Sequence, residues 1–176
     1  LNKEYAYSLC MLIELDHMKA VITNLAFEEK HTAKKTVQGA LTAEHIQSFV
    51  QELIDSCPEI RSIAIGVPGA VHNGKIFLID GFKQLQDYAL EDLLRDKFHI
   101  PTVVLNNMNA LISGFRGKIH ATGTGENIAC IHIGEKGPGC SFLVNGAPVS
   151  GFCGFQGEIG FNLFDQTQTF REIALN

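Results

Sequence analysis

No run of this 176-residue sequence stays apolar for the roughly 20 consecutive residues that a membrane-spanning helix requires. The N-terminus also lacks a basic segment followed by a signal-type hydrophobic stretch. Both absences argue against membrane insertion and secretion, and the expected location is cytoplasmic. Concentrated positive charge is missing as well: 14 Lys and Arg stand against 19 Asp and Glu, for a net charge of -5, and the basic residues are scattered. Gripping nucleic-acid phosphates takes a basic patch, so contact with DNA is expected only through a module outside this chain. The five cysteines, Cys10, Cys57, Cys130, Cys140 and Cys153, are an odd set with no paired short spacing. Cys10 and Cys130 lie inside apolar runs and read as reduced core thiols. The seven histidines are dispersed without metal-ligand spacing, and neither an internal repeat nor a low-complexity stretch is present. What is there, 45% hydrophobic and 19% charged residues, suits a soluble globular chain of one ordinary domain or two small lobes.

Hydrophobic patterning alternates strands with helices. Tyr7 to Leu15 and His17 to Phe27 are rich in Leu, Ile, Val and aromatics, and His31 to Val37 supplies a third strand, which together predict an opening antiparallel meander. Thr42 is a suitable N-cap, Glu44 favours the helix dipole, and Ile46, Phe49, Val50, Leu53 and Ile54 follow helical spacing up to Pro58. Ile60 to Val67 reads as a buried strand ending in a turn over Gly66–Gly69, and Lys75 to Ile79 as a short strand. Leu90, Leu93, Leu94 and Phe98 mark a second amphipathic helix, followed by a strand over Thr102 to Leu105 and a helix from about Asn107. Beyond the glycine-punctuated segment Gly114 to Gly125, strands are expected at Asn127–Ile133, Ser141–Val144 and Ala147–Val149, the last two turning at Asn145-Gly146.

Three blocks carry the functional information. They are Ile63-Ala-Ile-Gly66-Val-Pro68-Gly69-Ala-Val71, Pro101-Thr-Val-Val-Leu-Asn106-Asn107-Met-Asn109-Ala110 and Ser150-Gly151-Phe-Cys-Gly154-Phe-Gln-Gly157-Glu158-Ile-Gly160. In that order they resemble the Ile-x-Ile-Gly-x-Pro-Gly-x-Val turn, the Pro-x-Val-x-x-Asn-Asp-x-Asn-Ala segment and the Gly-x-x-Gly-x-x-Gly-Glu-x-Gly loop of the ROK family. That family contains bacterial sugar kinases and related sugar-responsive repressors. Three collinear blocks are far more specific than one glycine motif. The resemblance runs from about Tyr7 to the last residue and implies an α/β fold, a ribonuclease-H-like lobe of the actin, hexokinase and ROK superfamily. Such a lobe is expected over residues 1–108, followed by an incomplete second lobe over 109–176 that would normally continue for roughly a hundred residues more. A sugar cleft between the lobes, with Asn106–Ala110 at its hinge, is part of the same implication.

The departures from the family pattern matter more than the matches. Family kinases take the sugar hydroxyl's proton with the Asp of the second block. Asn107 stands there instead, and an amide hydrogen-bonds but has no useful basicity near neutral pH. The family's opening phosphate motif, Asp-x-Gly-Gly-Thr, is matched by Leu12, Ile13, Glu14, Leu15 and Asp16, which lose every glycine and bring in two carboxylates that oppose a polyanion. Its second phosphate loop corresponds to Gly134-Glu135-Lys136-Gly137-Pro138-Gly139-Cys-Ser141; Gly134, Gly137 and Gly139 keep a degenerate nucleotide-binding character, while Glu135 adds charge and Pro138 removes a donor. Lys136 either offsets that charge or is a solvated turn lysine. Many family members bind zinc through one His and three Cys after the third block. Phe161 replaces that His and Gly160 to Asn176 holds no cysteine, so no structural zinc is expected.

By the same resemblance the sugar-binding residues are Gly69, Asn106, Asn107 and Glu158, and there is no catalytic residue. For each a plainer role stays open: Glu158 as an exposed loop carboxylate, Asn106 as a helix cap, Gly69 as a turn former, Asn107 as the remnant of a pocket that binds nothing. Asn109 is read as structural. The lead-in Leu1-Asn-Lys-Glu-Tyr-Ala-Tyr7 resembles the junction after the winged helix-turn-helix of family repressors, so an upstream module is expected. The resulting expectation is a sugar or sugar-phosphate effector domain of a homodimeric regulator, with no cofactor and no kinase activity. The alternatives are a divergent sugar kinase, the only reading that calls for ATP and magnesium, and a dimerisation domain with a dead pocket.

Overall fold

The computed structural model describes residues 2–14, 16–79, 81–118, 126–134, 137–154 and 156–175, without the side chains of Lys118 and Cys153. They fall into two compact units, Leu1–Asn106 and Asn107–Asn176.

Unit one opens with β1 (Tyr7–Ile13), β2 (His17–Asn24) and β3 (Glu29–Thr36), the antiparallel meander read from the sequence. Period-two alternation puts Leu9, Met11 and Ile13 of β1 in the core and leaves the intervening positions outside. Cys10 is one of those. It is a free thiol on the exposed face, not in the core, which corrects the reading taken from its apolar surroundings; Cys130 is likewise only partly covered, and Cys140 is the buried thiol. The apolar run around Cys10 is a strand with two faces, and only alternate residues are covered.

Helix α1 (Ala43–Ser56) follows, with Thr42 as its N-cap. The backbone N–H of Thr42 donates to Nδ1 of His45 at 3.2 Å, a polar closure of the first turn. Ile46, Phe49, Val50 and Leu53 are buried as their spacing requires, and they join Leu9, Met11 and Ile13 in one core. Strand β4 (Ile60–Val67) pairs in parallel with β1, and β7 (Thr102–Asn106) in parallel with β4, so the sheet order is β3-β2-β1-β4-β7. This mixed sheet is the ribonuclease-H-like arrangement. Between β4 and β7 lie a small hairpin, β5 (Gly69–His72) with β6 (Lys75–Ile79), and α2 (Leu90–Phe98). The sequence suggests only a turn over Gly66–Gly69. In the structure Gly66 and Val67 still belong to β4, Pro68 alone intervenes, and Gly69 already begins β5.

Unit two opens with α3 (Asn107–Lys118), which packs on a three-stranded antiparallel sheet of order β10-β9-β8, formed by β8 (Ile128–Gly134), β9 (Gly137–Val144) and β10 (Ala147–Pro148). Asn145 and Gly146 both have positive φ, 51° and 76°, as a tight hairpin turn of this type requires. The short helix α4 (Phe170–Ala174) has no strong periodic signal. It is held by a capping box in which Thr169 N–H donates to Glu172 Oε2 at 2.7 Å and Glu172 N–H to Thr169 Oγ1 at 3.3 Å. Among the described residues no helix is long and apolar enough to cross a membrane.

Candidate functional site

Two of the sequence-selected residues meet in unit one. Asn106 ends β7 directly opposite Val67 of β4, and its buried side chain donates from Nδ2 to the carbonyl of Gly69 at 2.8 Å. The bond closes a corner between the sheet and the β5–β6 hairpin across 37 residues of sequence. The tie occupies only Nδ2 of Asn106, which is also the residue directly before α3, so it leaves the helix-cap alternative standing beside it. Gly69 also has a local reason to be glycine. A Cβ there would lie 2.3 Å from the carbonyl oxygen of Leu78 and 3.0 Å from Cα of Ile79, so the β5–β6 pairing itself demands the missing side chain.

Asn107 and Glu158 belong to unit two. Asn107 is the first residue of α3 and partly buried. Glu158 is partly buried directly ahead of the 3-10 turn Ile159–Phe161. Burial pushes its carboxyl above the ordinary range, and the nearby Arg171 guanidinium pulls the other way. No motif marks Arg171, whose relation to Glu158 depends on α4 returning to the loop. Glu158 is placed by Gly157, which has φ +87° and accepts from Cys140 N–H at 3.0 Å. A Cβ on Gly157 would sit 1.8 Å from the Cys140 carbonyl oxygen. Gly157→Ala is thus expected to lower stability by about 1–3 kcal/mol, checked by denaturant unfolding; a change within error would show that the loop can rearrange freely.

The region matched to the first phosphate motif is not a loop with open backbone. Leu12 and Ile13 complete β1, Ile13 is buried, and Glu14 N–H donates to the His17 carbonyl at 2.9 Å, closing a hairpin into β2. Leu15 lies outside the described residues. The hairpin's charged groups are engaged with one another. Asp16 Oδ1 is 2.6 Å from His17 Nδ1, Glu14 Oε2 is 3.5 Å from His17 Nε2, and Lys19 Nζ is 2.9 Å from Glu14 Oε1. The His17 hydrogen bond holds the Asp16 carboxyl below its usual value.

The second phosphate segment is the β8–β9 hairpin, with Gly134 opposite Gly137. Glu135 and Lys136 lie outside the described residues. Strand β9 begins four residues before the expected Ser141, because Gly137, Pro138 and Gly139 continue the ladder. Helix packing accounts for Gly139: a Cβ would lie 3.0 Å from Cγ and Sδ of Met108 in α3. Gly137 has φ +113° and would place a Cβ 2.9 Å from Cγ of Arg171. Contacts within unit two thus bear on Gly137 and Gly139, and Glu14 and Asp16 place two carboxylates on the β1–β2 hairpin. Among the described residues no group of three or more His, Cys, Asp or Glu side chains is arranged to hold a metal ion. Phe161, at the position of the family's zinc-site His, is 65% exposed.

Comparison with known proteins gives a consistent picture. The model of the ROK family matches residues 13–171. The xylose repressor of Bacillus spizizenii is 21% identical over 171 residues, covering 93% of this chain and 44% of the repressor. The chain thus spans somewhat under half the length of that relative. Among solved structures, a ROK family transcriptional regulator described as a homologue of the E. coli MLC protein superposes with a TM-score of 0.83 at 18% identity, over 94% of this chain and 43% of its own. A ROK family glucokinase from Streptomyces griseus in complex with glucose and AMPPNP gives 0.72 at 19% identity, over 91% and 51%. At these identities the structural likenesses establish the fold.

Proposed function

The chain belongs to the ROK family, and from that premise we propose that it is the effector-sensing part of a sugar-responsive transcriptional regulator, binding a sugar or sugar phosphate without phosphorylating it. The observation that carries the reading is the closed β1–β2 hairpin, whose tip presents Glu14 and Asp16 in the stretch that would have to receive a nucleotide's phosphates. Asn107, an amide where the family's kinases keep a carboxylate base, points the same way. The curated relative named above is a repressor, whereas the kinase reading is supported only by likeness of fold. The residues assigned to sugar, Gly69 and Asn106 in one unit and Asn107 and Glu158 in the other, keep hydrogen-bonding groups suited to hydroxyls.

Calorimetry of full-length protein against a panel of pentoses, hexoses and their phosphates, headed by xylose, tests this directly. Sugar is expected to bind while ATP does not. Glu158→Ala and Asn106→Ala should each weaken binding, since an unpaired buried hydroxyl or amide costs about 1–3 kcal/mol. Affinity should also decline as pH falls through the raised Glu158 value, because the protonated carboxyl loses acceptor capacity. Undiminished affinity in both variants would mean that the site lies elsewhere.

A further inference from the structure

Strand β7 lies at the edge of its sheet and pairs only with β4 among the described residues. A buried N–H on its outer side has no neighbouring strand to receive it, and leaving such a donor unpaired is costly. Val104 is 2% exposed, and its N–H donates to Oε2 of Glu91 at 3.0 Å. Glu91 stands in the first turn of α2, and its other carboxylate oxygen is 3.9 Å from Nη1 of Arg95, one turn further on.

The same residue also holds the β5–β6 hairpin. Its backbone N–H donates to the Gly74 carbonyl at 3.2 Å, and just upstream Ile76 N–H donates to Tyr88 O at 2.9 Å. Gly74, with φ +71°, leaves room for this approach: a Cβ there would lie 2.6 Å from both Cβ and Cδ of Glu91. Glu91 therefore grips, from one side, the strand that ends in Asn106 and, from the other, the hairpin that begins at Gly69. Those are the two elements joined by the Asn106–Gly69 hydrogen bond.

We infer that Glu91 is the positioning residue of the Gly69–Asn106 corner, a strut between β7 and the β5–β6 hairpin that sets how Asn106 is presented to a sugar ligand. It touches no ligand itself. The inference rests on the reading of that corner as part of a sugar site, and the test separates the two. Full-length protein containing isotope-labelled asparagine shows a side-chain amide pair for Asn106, identified by its loss in Asn106→Ala. Glu91→Ala should move that pair, speed amide exchange at Val104 and weaken sugar binding by about tenfold or more, the scale set by one lost buried hydrogen bond. Glu91→Gln, whose Oε1 still accepts from Val104 N–H, should restore all three. Glu91→Asp keeps the charge but is one methylene short, so it should resemble Glu91→Ala and serves where the alanine variant fails to fold. An Asn106 amide pair that stays in place in both shortened variants overturns the assignment, as does a Gln variant that behaves like Ala. Shifted amide signals in a protein that binds no sugar of the panel would keep the strut and remove the sugar reading.

Discussion

Full-length protein given ATP, magnesium and each sugar of the panel should form ADP at least about a hundred- to ten-thousand-fold more slowly than a competent kinase of this family, the range lost with a general base alone. The expectation has two independent causes. Asn107 cannot accept the proton of an attacking hydroxyl at neutral pH. The β1–β2 hairpin adds a separate obstacle, since Glu14 and Asp16 bring negative charge to the phosphate side and the nearby Lys19 is already paired with Glu14. Because the causes are independent, Asn107→Asp should recover little. A coupled ADP assay with wild type, Asn107→Asp and Asn107→Ala decides it. Sugar-dependent turnover at ordinary kinase rates that disappears in Asn107→Ala would sink the regulator reading.

Much of unit one was legible in the sequence because its elements are strongly periodic. The alternation around Leu9, Met11 and Ile13 and the helical spacing of Ile46, Phe49, Val50 and Leu53 each match a buried face. Cys10 shows where the same signal misleads: an apolar run says strand, and only the pleat says which side of it is covered. Strand β5 was hidden because Gly66, Pro68 and Gly69 are turn residues by composition, while the pairing of Gly69 and Ala70 is settled by Ile79 and Leu78 of β6. In unit two Gly139 and Gly137, read from family resemblance as part of a degenerate nucleotide site, also lie against Met108 and Arg171, packing that no motif reveals.

The candidate site divides in the same way. Family motifs picked out Gly69, Asn106, Asn107 and Glu158, but no spacing could reveal that Asn106 reaches Gly69 or that Arg171 bears on Glu158. Glu91 carries no motif at all. Its importance comes from a sheet edge that forms only when the whole of unit one is folded.

Operator DNA affinity of the full-length protein should change by about five- to a hundred-fold on saturation with its sugar, the range spanned by a coupling of about 1–3 kcal/mol. Such coupling needs two states of the protein that the sugar binds unequally; equal affinity for both would shift nothing. It also needs a firm connection to the DNA-binding module proposed to lie outside this chain. On the side of unit one, the lead-in to β1 is itself tied to the sheet. Glu4 accepts from Tyr7 Oη at 2.6 Å and from Asn24 Nδ2 at 2.9 Å and pairs with Lys30 Nζ at 2.9 Å, while Lys3 Nζ reaches Glu28 at 2.7 Å. Those hydrogen bonds, with Tyr7 the largest contributor, hold the Glu4 carboxyl at about 2, so the tie stays charged across the working pH range. A segment fixed in this way moves with the sheet instead of swinging freely. A homodimer is expected because palindromic operators mirror two-fold protein symmetry. Fluorescence anisotropy with operator DNA at one fixed salt concentration, with and without the sugar that calorimetry identifies, measures the effect. DNA affinity that ignores every sugar the protein binds would leave occupancy without a consequence and end the regulator proposal.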